Sequence, residues 1–499
     1  MPDRPDTPSA DSHEPADAGL PLLRAAVARL APVLPMLTEL GERFAAAGHE
    51  LALVGGPVRD AFLGRVSPDL DLTSDARPHA ILALVTGWAD AHWDIGREFG
   101  TIGLRKGEHV IEITTYRADT YDRTSRKPEV MFGESLEGDL VRRDFTVNAM
   151  AIRLPSLEFV DVHGGLSDLV RQRLMTPAAP EESFADDPLR MMRAARFASQ
   201  LGFEVAPEVR TAMTERADTL SIISAERVRD EFVKLLLSPR PRLGLTLLVD
   251  TGLADVFLPE LPALRLELDE HHRHKDVYDH SLIVLEQAMD LEGPAGGAPE
   301  SVPGPDLVLR LAALLHDIGK PATRRFEDGG GVSFHHHELV GAKLASRRMK
   351  AMRFDKDTTK QVARLVELHL RFHGYGDGQW TDSAVRRYVN DAGPLLTRLH
   401  RLTRSDCTTR NARKAQRLSR AYDDLEKRIE RLAAEEELAS VRPELNGNEI
   451  AEALAIRPGP VLGEAYDFLL SVRLDDGPIG KDAAREKLLA WWAGRGTAD

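Results

Sequence analysis

The stretch "LVGGPVRDAFLGRVSPDLDLTS" (Leu53–Ser74) places a glycine pair, a short amphipathic run and two aspartates close together. The glycines follow a strand-like run. Pro57 suits the first turn of a helix, and Gly64 suits its end. Backbone N–H groups at such a helix start can hold phosphate oxygens, although a plain tight turn explains the glycines equally well.

Asp69 and Asp71 stand on either side of one leucine in this stretch. On a strand, side chains two residues apart point to the same face, so the two carboxylates are expected to lie together. They repel each other unless a cation lies between them. Carboxylates and substrate phosphates are the ligands that Mg²⁺ prefers, and paired Mg²⁺ ions promote phosphoryl transfer. A lone D-x-D is common by chance, and the glycine turn upstream favours the metal-binding reading here.

Length and composition limit the number of domains and the classes of protein to which the chain can belong. A chain of 499 residues predicts three or four domains. Its net charge of −14 argues against binding nucleic acid by overall basicity, but leaves room for a basic groove on an acidic body. The single cysteine, Cys407, excludes an internal disulfide and fits a cytoplasmic location. No apolar run of membrane-spanning length occurs, and the acidic, proline-rich residues 1–20 predict a disordered tail.

Periodicity divides the chain into two kinds of structure. Short alternating runs such as "HVIEITTY" predict strands within 21–165, and therefore a sheet in a small α+β unit. After Leu166 the patterns become helical and stay so to the end of the chain. The predicted fold class is α+β.

Four segments together resemble one known family. They are "GGPVRDAFLGRVSPDLDLTS", "LVRRDFTVNAMAI" (Leu140–Ile152), "DDPLRMMRAARFA" (Asp186–Ala198) and "ISAERVRDEFVKLL". They are similar to the polymerase-β-type nucleotidyltransferases, and more narrowly to the bacterial class II CCA-adding tRNA nucleotidyltransferases and their poly(A) polymerase relatives. The resemblance implies a polymerase-β-like head at 21–165 and a helical neck and body with a nucleotide-selecting helix at 166–265.

The resemblance also implies roles for individual residues. Asp69 and Asp71 would hold Mg²⁺ and catalyse. The nucleotide-binding residues would be Gly56 and Arg59 for the triphosphate, Arg143 and Asp144 for ribose, Asp187 and Arg190 for the base, and Arg193 and Arg196 in support. The family usually has Glu-Asp where this chain has Asp186-Asp187.

Residue spacing adds an independent argument for the base-reading set. Positions 187, 190 and 193 are three apart, so on a helix they would share one face. An acceptor beside the planar fork of an arginine can satisfy a base edge. The alternative is an ordinary Asp–Arg ion pair on a helix surface.

Two further features bear on the reaction. The polar segment between Tyr116 and Asp139 predicts a mobile loop, and its likeness to the family's flexible loop favours full CCA addition over CC addition. Glu112 could be a third carboxylate or an ordinary surface glutamate.

The second half of the chain carries a group of histidines. "VYDHSL", "LLHDIGK" and "RSDCTTR" supply His280, His316-Asp317 and Asp406. Imidazole with carboxylate suits a divalent transition metal of unidentified type. These residues resemble the HD metal-dependent phosphohydrolases, which implies that all four are metal ligands in an HD-like domain at 266–435, before a helical tail at 436–499. His336 and His369 are additional candidates for a second metal or a phosphate. A degenerate HD fold that only binds RNA is the alternative.

The resemblance implies template-independent addition of CMP, CMP and AMP to tRNA 3′ ends, with tRNA, ATP and CTP as partners. No membrane partner is expected, because no apolar run of membrane-spanning length occurs. The alternatives are poly(A) polymerase, a CC-adding enzyme, an HD phosphohydrolase with a nucleotide-binding head, and a non-catalytic tRNA-binding protein. The oligomeric state is not predicted.

Overall fold

The computed structural model describes residues 16–94, 96, 100–118, 131–266, 276–293, 302–328, 331–374, 380–408, 411–436 and 442–495. Residues 1–15 and the middle of the predicted loop, 119–130, lie outside these ranges. The first helix, α1 (Ala16–Leu30), begins inside the stretch predicted to be a disordered tail. The chain forms two compact units, Met1–Ile223 with Pro239–Leu253, and Ser224–Ser238 with Ala254–Asp499.

The first unit contains a seven-stranded sheet of order β3-β4-β5-β2-β1-β8-β9. Central strand β2 runs antiparallel to β1 and parallel to β5, so it is hydrogen-bonded on both sides. The strands are β1 (Leu51–Val54), β2 (Asp69–Ser74), β3 (Ala91–Trp93), β4 (Thr101–Lys106), β5 (His109–Thr115), β8 (Ala151–Leu154) and β9 (Phe159–Val160), with β6 (Arg117–Ala118) paired to β7 (Met131–Phe132) outside the sheet.

One face of this sheet is covered and apolar. Leu70 and Leu72 of β2 and Ile111 and Ile113 of β5 are buried, together with Phe44 from the helix that precedes β1. The intervening residues on β2 and β5 therefore point to the opposite face. The helices of the unit are α1, α2 (Leu34–Ala46), α3 (Gly56–Phe62), α4 (Pro78–Val85), α5 (Leu136–Val141), α6 (Gly165–Val170), α7 (Pro180–Asp186), α8 (Leu189–Leu201), α9 (Pro207–Glu215) and α11 (Pro241–Asp250).

Helices make up nearly all the regular structure described in the second unit. They are α10 (Ala225–Leu236), α12 (Leu253–Phe257), α13 (Val277–Asp290), α14 (Leu307–Leu315), α15 (Lys320–Thr323), α16 (His337–Ala351), α17 (Lys356–Leu368), α18 (Asp382–Ala392), α19 (Leu396–Ser405), α20 (Ala412–Glu436), α21 (Gly447–Leu454), α22 (Pro460–Asp476) and α23 (Lys481–Arg495).

Beyond the main sheet, only two-residue ladders occur among the described residues after position 166. They pair β10 (Arg173–Leu174) with β11 (Glu204–Val205) and β12 (Arg325–Phe326) with β13 (Val332–Ser333). The predicted α+β class, with a sheet first and helices afterwards, is confirmed.

Within the described ranges, no single helix is long and apolar enough to cross a membrane. The bent pair Pro21–Leu30 and Leu34–Ala46 passes that test by length and composition when taken together. Its apolar side chains Leu37, Leu40 and Phe44 are fully buried in the core of the first unit.

Candidate active site and candidate metal centre

Asp69 and Asp71 lie on the uncovered face of β2, as the alternation predicted. Both are exposed, and Leu70 between them is buried. In the parallel ladder with β5, Asp71 pairs with Glu112, which is also exposed. Because partners in register share a face, the third carboxylate lies beside the first two. Glu112 is therefore an exposed glutamate that lies beside Asp69 and Asp71, where a third carboxylate of the site would lie.

The crowding of these acids affects their protonation. Partial desolvation, opposed by the positive charge of Arg143 and assisted by the charge of Asp69, raises the pKa of Asp71. Partial desolvation and the charges of Asp71 and Asp69 likewise raise the pKa of Glu112. A bound cation would relieve this repulsion, so the donor set fits a divalent metal that prefers oxygen ligands.

Gly55 brings the turn after β1 against this acidic face. Its φ of +72° lies in the left-handed region, which favours glycine. A Cβ at this position would lie 3.0 Å from Nη1 of Arg143 and 3.9 Å from Oδ2 of Asp71. Arg143 is held in turn by Asp139, 3.2 Å away and one helical turn earlier. Position 55 therefore requires glycine. Gly56 does not have a left-handed φ, so the same argument does not apply to it.

Buried Asp144 is the centre of a hydrogen-bond network. Oδ1 accepts from the N–H of Phe145 and from Nδ2 of Asn148, and Oδ2 accepts from Nε of Arg193 at 2.7 Å. Asn148 accepts at its own side-chain oxygen from Nη1 of Arg59, at 2.6 Å. One carboxylate thus links Arg59 of α3 to Arg193 of α8.

The network fixes the charge of Asp144. Burial alone would raise its pKa, but the charge of Arg193 and the hydrogen bonds from Asn148, Arg193 and Phe145 lower the pKa to about 2. The carboxylate is therefore ionised at neutral pH, and Arg193 has a permanent partner.

Phe197 packs among the arginines of this region. The guanidinium of Arg196 lies 4.0 Å from its ring centroid, that of Arg59 5.3 Å and that of Arg193 5.4 Å. Nη1 of Arg196 also donates to Gln200. The buried ring stabilises neighbouring cations through cation–π contacts, which allows them to stay close together.

The prediction that Asp187 shares a helix face with positions 190 and 193 is wrong. Helix α8 begins at Leu189, and Asp187 is extended, with φ −143° and ψ 99°. Its side chain accepts the N–H of Leu189 and its carbonyl accepts that of Arg190. Pro188 explains the difference, because a residue before proline is disfavoured in the helical region. Asp187 lies at the start of α8, not on its side.

Arg190 does lie on α8, and its guanidinium binds other parts of the same unit. Nη1 donates to Oγ of Ser183 at 2.9 Å, and Nη2 donates to the carbonyl of Arg142 at 2.5 Å. Arg190 therefore connects the middle of α7 to the residue next to Arg143.

In the second unit the predicted metal ligands do come together. Nε2 of His280 lies 3.0 Å from Oδ1 of Asp406, and Nε2 of His316 lies 3.2 Å from Oδ2 of Asp317. The two imidazole Nε2 atoms are 3.3 Å apart. These atoms come from α13, the end of α14 and the end of α19, and their mixed nitrogen and oxygen character fits a divalent transition metal.

Of the two additional histidines, His369 is at this centre and His336 is not. His336 is exposed, while the next residue, His337, is buried with Nε2 3.2 Å from Oδ1 of Asp317. Nε2 of His369 lies 3.9 Å from the same oxygen. His337 was missed because three consecutive histidines gave no signal about which one faces inward.

Each inner histidine of this centre is oriented through its other ring nitrogen. Nδ1 lies within hydrogen-bond distance of a backbone carbonyl, that of Ala313 for His316, Phe334 for His337 and Val366 for His369. Such contacts fix the ring and direct Nε2 to the ligand position, as is usual for metal-binding histidines.

The charges at this centre are strongly coupled. Burial would lower the pKa of His316, but the carboxylates of Asp317 and Asp406 raise it to about 9. Burial would raise the pKa of Asp317, but the charge of His316 holds it well below its usual range. Burial and the charge of His316 lower the pKa of His369 to about 4, which leaves its imidazole neutral at pH 7.

Comparison with known families divides the chain into three matching regions. The poly(A) polymerase head domain matches residues 51–175, the probable RNA and SrmB-binding site of polymerase A matches 202–264, and the HD domain matches 277–432. An A-adding tRNA nucleotidyltransferase of Deinococcus radiodurans is 34% identical over 453 residues, 89% of this chain and 95% of that protein. The chain belongs to the family of CCA-adding and related tRNA nucleotidyltransferases.

Other members differ in how much of the chain they match. The CC-adding tRNA nucleotidyltransferase of Thermus thermophilus is 32% identical over 89% of this chain and 94% of its own length. The CCA-adding enzyme of Bacillus subtilis is 39% identical over 46% of this chain and 55% of its own length. A crystal structure of the Bacillus stearothermophilus CCA-adding enzyme with CTP has the same fold, with a TM-score of 0.65, 23% identity, and coverage of 94% of this chain and 99% of that one.

We expect Gly55→Ala to abolish most catalysis in the first unit without unfolding it. The added methyl would be strained at φ +72° and would contact Arg143, so the turn would move away from Asp71. Nucleotide incorporation and thermal melting would be measured together.

Gly64→Ala is the matched control, because Gly64 has φ +75° but nothing within 4 Å of the added carbon. Equal activity losses in both variants would contradict the placement of Gly55 at the site.

We expect Asp144→Asn to destabilise the protein by about 1–3 kcal/mol. The carboxylate accepts hydrogen bonds at both of its oxygens, whereas an amide has one oxygen and cannot accept them all. The folded-state pKa of about 2 lies below the unfolded value of about 3.9, so the carboxylate stabilises the fold above about pH 4. That contribution is lost as the pH falls through about 2. Denaturant melts of both proteins at several pH values give their free energies of unfolding. The difference between the two free energies should be constant from pH 7 to pH 5 and should shrink below pH 4. A difference that grew on acidification would contradict the charge assignment.

Proposed function

We propose that this chain adds nucleotides to the 3′ end of tRNA, transferring CMP, CMP and AMP from CTP and ATP to complete CCA. The observation that carries the proposal is the pair Asp69 and Asp71 on one open face of a central strand, with Glu112 beside them. Structures of CCA-adding enzymes with CTP, with ATP and with tRNA support these substrates. The proposed location is the cytoplasm, where tRNA and nucleoside triphosphates meet.

The chemistry follows from the charge arrangement. The tRNA 3′-hydroxyl gives up its proton to solvent and attacks the α-phosphorus. A new P–O bond forms, the α–β anhydride bond breaks and pyrophosphate leaves. Asp69 and Asp71 would hold Mg²⁺, which supplies charge stabilisation to the attacking and leaving oxygens. Among the arginines, Arg143 and then Arg193 act most strongly to lower the pKa of Asp71, so both guanidinium groups are placed to offset the negative triphosphate.

Nucleotide selection is assigned to the start of α8 and to the Asp144 network. Asp144 holds Arg193 at 2.7 Å, and Arg59 reaches the same network through Asn148. We therefore propose that Asp144 acts by positioning Arg193, while Arg143 beside it contacts the nucleotide sugar. Asp187 and Arg190 would read the base from the first turn of α8, Gly56 and Arg59 would contact the triphosphate, and Arg196 would support them.

The names of the relatives define the alternative reactions: addition of A alone, of CC, or of complete CCA. Two relatives that match 89% of this chain are named A-adding and CC-adding enzymes, whereas the CCA-adding enzyme of Bacillus subtilis matches 46% of it. The predicted flexible segment after Tyr116 favours complete CCA addition, but most of it lies outside the described residues.

The decisive assay uses three tRNA transcripts that end before CCA, after the first C and after CC, each with CTP, ATP or both. We expect growth to CCA from all three when both nucleotides are present. Asp69→Asn and Asp71→Asn should each reduce the rate by at least about 10³-fold, since electrostatic stabilisation supplies most of the catalysis.

Asp75→Asn is the matched control, because Asp75 follows the same strand but binds His49 and the N–H of Glu50. Growth by A only from the CC-ending transcript, or by two Cs only, would assign one of the partial activities. Long tails with ATP alone would assign poly(A) polymerase.

A second activity is proposed for the HD region: hydrolysis of phosphate ends or 2′,3′-cyclic phosphates on tRNA with a divalent transition metal. The observation that favours it is the approach of four side chains, in which each imidazole Nε2 lies 3.0–3.6 Å from an oxygen of each carboxylate. The four are His280, His316, Asp317 and Asp406. A fold kept only for RNA binding would not need these four side chains to meet.

We expect Asp406→Asn to abolish two reactions: the opening of a terminal 2′,3′-cyclic phosphate to the phosphomonoester, and the release of inorganic phosphate from a transcript that ends in a phosphomonoester. CMP incorporation by the head should persist. Asp423→Asn is the control, since Asp423 is an exposed partner of Arg404 outside the centre. Hydrolysis that survived in the Asp406 variant would mean that this region does not hydrolyse phosphate esters.

A further inference from the structure

The hairpin of β12 and β13 is held beside the candidate metal centre at both of its ends. On the side of β12, Nζ of Lys320 lies 2.6 Å from Oδ2 of Asp317. On the side of β13, Nε2 of His337 lies 3.2 Å from Oδ1 of Asp317. A Cβ on Gly319 would lie 2.1 Å from the carbonyl oxygen of His337, so the backbone that leaves the centre contacts the backbone that returns to it. The hairpin therefore projects from the edge of the centre.

Phe326 presents a large apolar ring on this hairpin. The residue is 72% exposed, although it lies opposite the half-buried Val332 in the ladder. A single exposed apolar side chain is common on protein surfaces and by itself indicates no function. This ring differs because the guanidinium of Arg324 lies over it, 4.7 Å from the ring centroid. The guanidinium covers one face of the ring, and the high exposure leaves the remainder open to a flat ligand.

The arginines of the hairpin have no acidic partner in the part of the chain that the structure describes. Neither Arg324 nor Arg325 forms an ion pair there, and Arg325 is exposed. Glu327 follows closely in sequence, but its carboxylate accepts a hydrogen bond from the hydroxyl of Ser333. Arginines beside an exposed aromatic ring are the combination with which proteins bind single-stranded nucleic acid, since the cations bind phosphates and the ring stacks on a base.

The order of these groups along the chain gives such a ligand a direction. Arg324 and Arg325 lie between the metal centre and Phe326, whereas the exposed acids Glu327 and Asp328 come after the ring. A strand with one base stacked on Phe326 would keep its phosphates on the side of the arginines, which leads to the centre. The base must be unpaired, because a base inside a duplex does not offer its face to a side chain.

We propose that Arg324, Arg325 and Phe326 form a docking surface for unpaired RNA. One base stacks on the ring of Phe326, the phosphates on its 3′ side bind the two arginines, and the 3′-terminal phosphate then lies at the metal centre. The substrate of the second activity proposed above is accordingly a single-stranded RNA end. Only the fate of that phosphate rests on the proposed activity, because docking requires no hydrolysis.

The test locates bound RNA on the full-length protein by photocrosslinking. The probe is a short single-stranded RNA that ends in a 3′-phosphate and carries 5-iodouridine at its last positions. Ultraviolet light couples 5-iodouridine to an aromatic ring on which it stacks, so peptide mass spectrometry should find the crosslink at Phe326. The dependence of this crosslink on RNA concentration gives a half-saturating concentration for the hairpin alone, separately from any RNA bound by the head.

Competition experiments distinguish the base from the phosphates. The same RNA without bases at its last positions should compete for the crosslink about 5- to 150-fold more weakly than intact RNA, which is the range for the loss of one stacked base. Arg324→Gln and Arg325→Gln should each raise the half-saturating concentration and reduce its dependence on salt, because each removes a cation that binds phosphate. Phe326→Tyr keeps the ring and should keep the crosslink.

A variant without the ring tests the same contact through hydrolysis. Phe326→Ala should raise KM for release of phosphate from this RNA by a similar factor and leave kcat unchanged, because the ring binds the substrate away from the reacting phosphate. Leu489→Ala is the matched control, since Leu489 is an apolar side chain of the same unit that is 45% exposed and has no ring. Its KM should equal that of the parent, and thermal melts check that every variant is folded.

Absence of a crosslink at Phe326, or competition by abasic RNA as strong as that by intact RNA, would overturn the docking surface. An equal rise of KM in Phe326→Ala and Leu489→Ala would also overturn it. Crosslinking at Phe326 without any release of phosphate would support the docking surface and contradict the proposed hydrolysis. Release of phosphate without crosslinking would contradict the docking surface alone.

Discussion

A buried carboxylate with no solvent to stabilise it must be satisfied by protein donors, and this constraint at Asp144 organises the first unit. The Asp144 side chain takes hydrogen bonds from the backbone of Phe145, from Asn148 and from Arg193. Because Asn148 also binds Arg59, the short helix after the glycine turn and the long helix α8 share one anchor. Moving any one of these elements would leave a buried charge or donor without its partner.

The sheet arranges its charged side chains differently from the Asp144 network. Its carboxylates lie close to one another on the exposed face, away from the apolar core. Strand alternation buries Leu70 and exposes Asp69 and Asp71, and the parallel register with β5 adds Glu112 to the same face. Repulsion among these acids is partly offset by Arg143, whose own position depends on Asp139 and on the absence of a side chain at Gly55. The site therefore combines surplus negative charge for cations with positive charge for phosphates.

Local periodicity was enough to predict the acidic face, because the two-residue repeat of a strand leaves no other arrangement for Asp69 and Asp71. It failed at Asp187, where the three-residue spacing suggested a helix face but Pro188 keeps the preceding residue extended. It also could not choose among His335, His336 and His337. That choice depends on a left-handed residue at 336 and on the close backbone approach at Gly319, which are tertiary features. The link from Asp144 through Asn148 to Arg59 spans 89 residues of sequence and has no periodic signal.

In both candidate centres neighbouring carboxylates are offset by positive or metal-binding side chains, but the side chains differ. In the head, acids face solvent and are offset by arginines, which cannot ligate a metal because they have no lone pair to donate. Any ion there would be held by carboxylates and substrate phosphates, so it would enter and leave with the nucleotide. In the HD region, buried imidazoles replace the arginines and can bind the ion directly. A resident transition metal is therefore expected in the second unit, and an exchangeable Mg²⁺ that accompanies the nucleotide is expected in the first.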